Sequence, residues 1–99
     1  MKEKDLVGAI LRMLRKTPGC FCWKEHGGMY GTAGIPDIIL CYKGRFAAME
    51  VKTETGRVSK LQEITIQRIQ AAGGAACVVR SVREAEEMLM RMEVDADDE

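Results

Sequence analysis

Ninety-nine residues, 46% of them hydrophobic and 30% charged, describe one ordinary globular domain, large enough to bury a core without disulfide or metal staples. No apolar run approaches the roughly 20 residues of a membrane helix, and the charged start Met1-Lys2-Glu3-Lys4-Asp5 leads into an amphipathic pattern rather than a signal peptide, so an intracellular, cytoplasmic protein is expected. The formal charge of zero hides an asymmetry: Glu93, Asp95, Asp97, Asp98 and Glu99 crowd the last seven residues, leaving residues 1–92 with fifteen basic against ten acidic side chains, a net of +5. Residues 1–92 are read as the folded body, basic enough to permit nucleic-acid binding, and residues 93–99 as an acidic, disordered tail.

The elements follow in chain order. Leu6, Val7, Ile10, Met13 and Leu14 recur at helical spacing and predict a helix over 4–16, ended by Thr17-Pro18-Gly19. Residues 20–25 read as a strand. Gly27, Gly28, Gly31 and Gly34 then make a glycine-rich stretch, either a plain connection or a place where a sugar-phosphate backbone comes close. Two apolar runs, 35–42 and 45–53, lack strict alternation, which suggests a sheet covered on both faces. Ser59 and Gln62 match a capping box opening a helix that Gly73-Gly74 closes. Residues 75–80 read as a fourth strand, and Ser81 with Glu84 caps a last helix carrying Val82, Ala85, Met88, Leu89 and Met92 on one face. The order is α-β-β-β-α-β-α, with the third and fourth strands parallel across a right-handed helical crossover.

The four cysteines, Cys20, Cys22, Cys41 and Cys77, form no C-x-x-C pair, and His26 is the sole histidine. Small thiols in a reducing compartment account for them; a zinc-dependent regulatory domain is the competing reading.

The chemistry concentrates around the turn between the second and third strands. A hairpin centred on Lys43-Gly44 pairs positions so that Asp37 stands directly opposite Glu50, and Lys52, two residues on, shares their face. A three-residue loop would instead send the two acids to opposite faces. Like charges set opposite one another repel, and a hard divalent cation between them removes the conflict. Asp37, Glu50 and the Val51 carbonyl suit Mg²⁺ or Mn²⁺, and Lys52 is placed to orient a nucleophilic water for phosphodiester hydrolysis. The alternative is a surface salt-bridge cluster. Glu3 falls on the apolar stripe of the first helix, as a further ligand through water or as a first-turn acid favoured by the helix dipole. Gln62 either caps its own helix or hydrogen-bonds the attacking water or a phosphate oxygen.

Gly34-Ile35-Pro36-Asp37, followed after twelve residues by Glu50-Val51-Lys52 and then by Gln62 and Gly73-Gly74, resembles the signature of the PD-(D/E)XK nucleases, and within them the VRR-NUC family, the virus-type replication-repair nuclease module. Glu3 is the closest match to that family's first-helix acid. The resemblance implies a restriction-endonuclease-like α-β-β-β-α-β core, with a mixed central sheet flanked by helices. It also implies a Mg²⁺-dependent endodeoxyribonuclease acting on branched DNA, similar to Holliday-junction resolvases that work as homodimers in DNA repair, in a host cell if viral. Asp37, Glu50, Lys52 and Gln62 would be its catalytic set, with Lys24 and Gly34 as substrate contacts. The competing expectation is a non-catalytic branched-DNA-binding module on the same fold.

Overall fold

The computed structural model describes residues 1–26 and 31–97. Seven elements follow the expected order: α1 (Glu3–Arg15), β1 (Cys20–Lys24), β2 (Ile38–Tyr42), β3 (Arg45–Val51), α2 (Lys60–Ala71), β4 (Ala75–Val79) and α3 (Val82–Asp97). The strands lie side by side as β1-β2-β3-β4, antiparallel except for the parallel β3–β4 pair. The fold is the α/β, mixed-sheet architecture read from the sequence.

The hairpin turn fixes the register. Lys43 and Gly44 both have positive φ, +50° and +84°, as a two-residue type I′ loop requires. Tyr42 therefore pairs with Arg45, Leu40 with Ala47 and Ile38 with Met49. Alternate residues then serve different layers. Ile38, Leu40, Tyr42, Ala47, Met49, Val51 and Val79 pack beneath α1 and α3, against Leu6, Ile10, Leu14, Met88 and Met92. Ile39, Ala48 and Ala76 face the other way, against Ile66 of α2. This two-sided burial explains why the central strands read as nearly continuous apolar runs.

The strands are shorter than expected. β2 begins at Ile38 rather than at residue 35, because Gly34 turns the chain with φ +82° and Pro36 has no N–H for the ladder. β3 ends at Val51 rather than at 53, where the chain leaves the sheet for the loop before α2. The tail differs too. Residues 93–97, assigned to a disordered segment on charge alone, continue α3. Glu93 forms an ion pair with Lys43 of the hairpin turn, and the Arg45 guanidinium donates to the Met92 carbonyl at 2.9 Å, so the helix end is tied to the sheet. Asp98 and Glu99, like Gly27 and Gly28 of the glycine-rich stretch, lie outside the described residues.

Both ends of α2 are closed by the residues the sequence singled out. Ser59 and Gln62 form the reciprocal capping box. At the other end Gly73 N–H donates to the Gln70 carbonyl and Gly74 N–H to the Ile69 carbonyl, the Schellman pattern, with Gly73 at φ +97°.

Candidate active site

The register that pairs Ile38 with Met49 carries one step further to Asp37 and Glu50, just beyond the end of the β2 ladder. Both share the α2 face with Ile39 and Ala48, because side chains two apart on a strand point the same way. Glu50 is 2% exposed and is the only buried charged or polar side chain among the described residues. Burial first, and then the Asp37 carboxylate beside it, push its pKa from 4.5 up to about 7; Lys52 pulls it back down. The Lys52 ammonium lies 3.5 Å from Glu50 Oε2.

Gln62 holds the same oxygen. Its Oε1 accepts from the Ser59 backbone N–H at 2.9 Å, and its Nε2 donates to Glu50 Oε2 at 3.1 Å. The cap and the site contact, alternatives on spacing alone, are made together by the two ends of one amide. The backbone donor dictates which end is oxygen, so the NH₂ must face the acid.

Asp37 is oriented by the backbone. Its Oδ2 accepts the Val51 N–H at 2.8 Å, leaving Oδ1 for another partner. The N–H and C=O of one strand residue point to the same edge, so the Val51 carbonyl also looks toward β2. The residue due opposite it in this register is Pro36, which has no N–H to offer. The carbonyl is therefore left without its ladder donor, beside two carboxylates. Two acids in forced proximity, one of them buried, and a bare backbone oxygen are a donor set for a hard cation. No group of three or more His, Cys, Asp or Glu side chains gathers among the described residues, so the protein's share of such a site is two carboxylates and a carbonyl, with water completing the shell.

The other expected residues stand apart. Glu3 is exposed in the first turn of α1, the helix on the opposite face of the sheet, and makes no hydrogen bond or ion pair among the described residues. Its stripe partners Leu6, Val7, Ile10 and Leu14 are buried, but the stripe emerges into solvent at its first residue. Lys24 is exposed at the end of β1. Gly34 packs against α2, where an added Cβ would come within 2.7 Å of Thr65 Oγ1 and 2.8 Å of Leu61 Cγ, so close helix contact already accounts for the glycine. The cysteines divide: Cys20, Cys22 and Cys77 pack against the α1–α3 core, while Cys41 is exposed on the other face, so one zinc ion cannot gather all four.

Arg80 was not anticipated. Its guanidinium donates to the carbonyls of Thr53 and Gly56 at 2.7 and 2.8 Å, while Lys52 N–H donates to the Val79 carbonyl at 3.1 Å. The end of β4 thus fixes the backbone on which Lys52 sits. The usable signal was positional: Arg80 ends the parallel neighbour of the Glu-x-Lys strand. A cleft of about 520 Å³ lies along the same loop, between Thr53, Glu54, Arg80 and Val82, and its walls include none of Asp37, Glu50, Lys52 or Gln62.

The model of the VRR-NUC domain matches residues 10–83. The chain belongs to the VRR-NUC family. VRR-NUC is a nuclease domain family, and a nuclease domain implies DNA as its substrate. A solved structure described as a VRR_NUC domain protein superposes with a TM-score of 0.73, covering 91% of this chain and 86% of that one. At 15% identity it speaks for the VRR-NUC fold alone. No curated protein matches the chain. No helix among the described residues is long and apolar enough to cross a membrane.

Proposed function

We propose that the chain is a Mg²⁺- or Mn²⁺-dependent endodeoxyribonuclease selective for branched DNA, acting as a homodimer in the manner of Holliday-junction resolvases. The observation that carries the metal-dependent part is the Asp37 carboxylate, held by the Val51 N–H, beside the buried Glu50 at the C-terminal end of β3. Branched DNA and the dimer rest on the resemblance of the motif set to the compact resolvases.

In this reading Asp37 through Oδ1, Glu50 and the Val51 carbonyl would hold the ion. When bound, the ion lowers the pKa of a coordinated water and neutralises charge building on the phosphate. Lys52, on the same face as Glu50, orients the attacking water and faces the negative charge that develops at phosphorus. Gln62 keeps the Glu50 carboxylate in one orientation, the service outer hydrogen bonds give metal ligands generally. The resemblance of the motif set adds Lys24 and Gly34 as substrate contacts.

The test is a cleavage panel with Mg²⁺ and Mn²⁺ over linear duplex, flap, splayed arm and four-way junction, with Lys52→Ala as control. Cleavage of branched forms over duplex, lost in the variant, is expected. Binding to junctions with no nicking under either cation would make the chain a non-catalytic binding module, and equal activity in Lys52→Ala would remove the role given to that lysine.

A further inference from the structure

β1 carries two exposed aromatic residues that nothing above uses. Phe21 is 70% exposed and Trp23 is 43% exposed, with ring centroids 5.9 Å apart and planes tilted by 50°. Trp23 pairs with Ile39 and Phe21 with Cys41, so both rings stand on the face that carries Asp37 and Glu50. On that face α2 packs over β3 and β4 and leaves β1 uncovered. Successive rungs read Phe21–Cys41–Phe46, then Trp23–Ile39–Ala48, and then Asp37–Glu50. Trp23 is thus diagonal to Asp37 at about 7–8 Å. Two strand spacings and two residues separate it from Glu50, roughly 12 Å. That is only about three stacked-base steps of ~3.4 Å.

We infer that Phe21 and Trp23 form a stacking platform for unpaired bases of the nucleic acid whose backbone lies at the Asp37–Glu50 site. The inference rests on the reading of that site as the place of phosphodiester cleavage, and names the substrate feature it selects: single-stranded nucleotides next to the cut. Aromatic faces on an open strand take any base, because every base has a π-face. The Trp23 indole N–H donates to Glu25 Oε2 at 3.2 Å, which fixes the ring and satisfies its one polar atom. The body of the domain is basic, which favours a polyanionic ligand. A second copy of the chain fits the patch less well. The exposed parts of Phe21, Trp23 and Phe46 come to on the order of 350 Å², against about 800 Å² that a stable partner covers on each side.

Trp23 is the chain's one tryptophan, so its emission reports on the platform alone. The experiment titrates the wild-type protein in EDTA with a thymidine oligonucleotide of about ten residues, reading Trp23 fluorescence and the anisotropy of a labelled copy together. Expected is saturable quenching that tracks the anisotropy, with a linear duplex of equal length quenching at least about tenfold more weakly. Phe21→Ser, at a position exposed enough to tolerate it, weakens oligonucleotide binding about tenfold with unchanged melting temperature and elution volume. Binding without any change in Trp23 emission overturns the inference, as does failure of the oligonucleotide to bind. So does a Phe21→Ser variant that elutes as a smaller species, because the face then belongs to a second copy. Quenching that persists in a protein unable to cleave any DNA would sink the hydrolytic reading and leave the platform standing.

Discussion

Replacing Glu50 by Gln should make the metal-free protein more stable and the enzyme inactive. Glu50 is 2% exposed and its pKa is raised from 4.5 to about 7, first by burial and then by Asp37. A carboxyl whose folded pKa lies above its unfolded one favours the native state at low pH and loses that advantage as pH rises through the folded value. Here the loss runs from about pH 4.5 to about pH 7, and at ~1.4 kcal/mol per pH unit it amounts to about 3 kcal/mol, complete by about pH 8. Glu50→Gln removes the buried charge and keeps a group that Gln62 and Lys52 can contact. With allowance for the lost Lys52 pairing, the gain at about pH 8 is about 2 kcal/mol, near 10 °C for a domain this size. The assay is thermal unfolding in EDTA across pH 5 to 8, repeated with millimolar Mg²⁺. Wild type should lose stability over that window and regain it with Mg²⁺, because an ion that binds only the folded state stabilises it by mass action. The variant should show neither response. A Gln variant less stable than wild type at about pH 8 in EDTA, or a flat wild-type profile, would refute the account of Glu50 as a strained acid awaiting a cation.

Lys52→Ala should lower cleavage by about 10²- to 10³-fold while leaving the far-ultraviolet spectrum and fold intact, read as single-turnover rate beside circular dichroism. Gln62→Ala removes the cap bond and the Glu50 bond at once, so unfolding should show a loss of about 1 kcal/mol and cleavage a fall of about 10- to 100-fold. Gly34→Ala should destabilise by more than about 1 kcal/mol, since φ is +82° and the new Cβ meets Thr65 and Leu61 under 3.0 Å. Denaturant melts decide it, and a neutral result would mean the segment moves off α2 at no cost.

Much of this was legible because it depends on periodicity. The two-residue Lys43-Gly44 loop sets the parity of the hairpin, and parity alone places Asp37, Glu50 and Lys52 on one face. Gln62 was legible as a cap, but its second bond was not, because spacing along a helix does not say which strand lies beneath it. Glu3 shows the same limit from the other side: the helical stripe identified buried neighbours, yet a stripe does not tell where the helix emerges from the core. Arg80 carries no local pattern, since its partners, the carbonyls of Thr53 and Gly56, are backbone atoms distant in sequence. The α3 extension through residues 93–97 went against a charge-based expectation that could not foresee the Lys43–Glu93 ion pair.

The sheet also separates two kinds of evolutionary freedom. Under α1 and α3 lies a purely apolar packing problem, which related side chains of similar volume can solve in many ways. On the α2 side Ile39, Ala48 and Ala76 pack on Ile66 in the same way, but the next rung, Asp37–Glu50, answers to charges and hydrogen bonds. Sequence drift, and any attempt to engineer a sturdier protein, should therefore run freely through the apolar layers while that one rung stays nearly frozen.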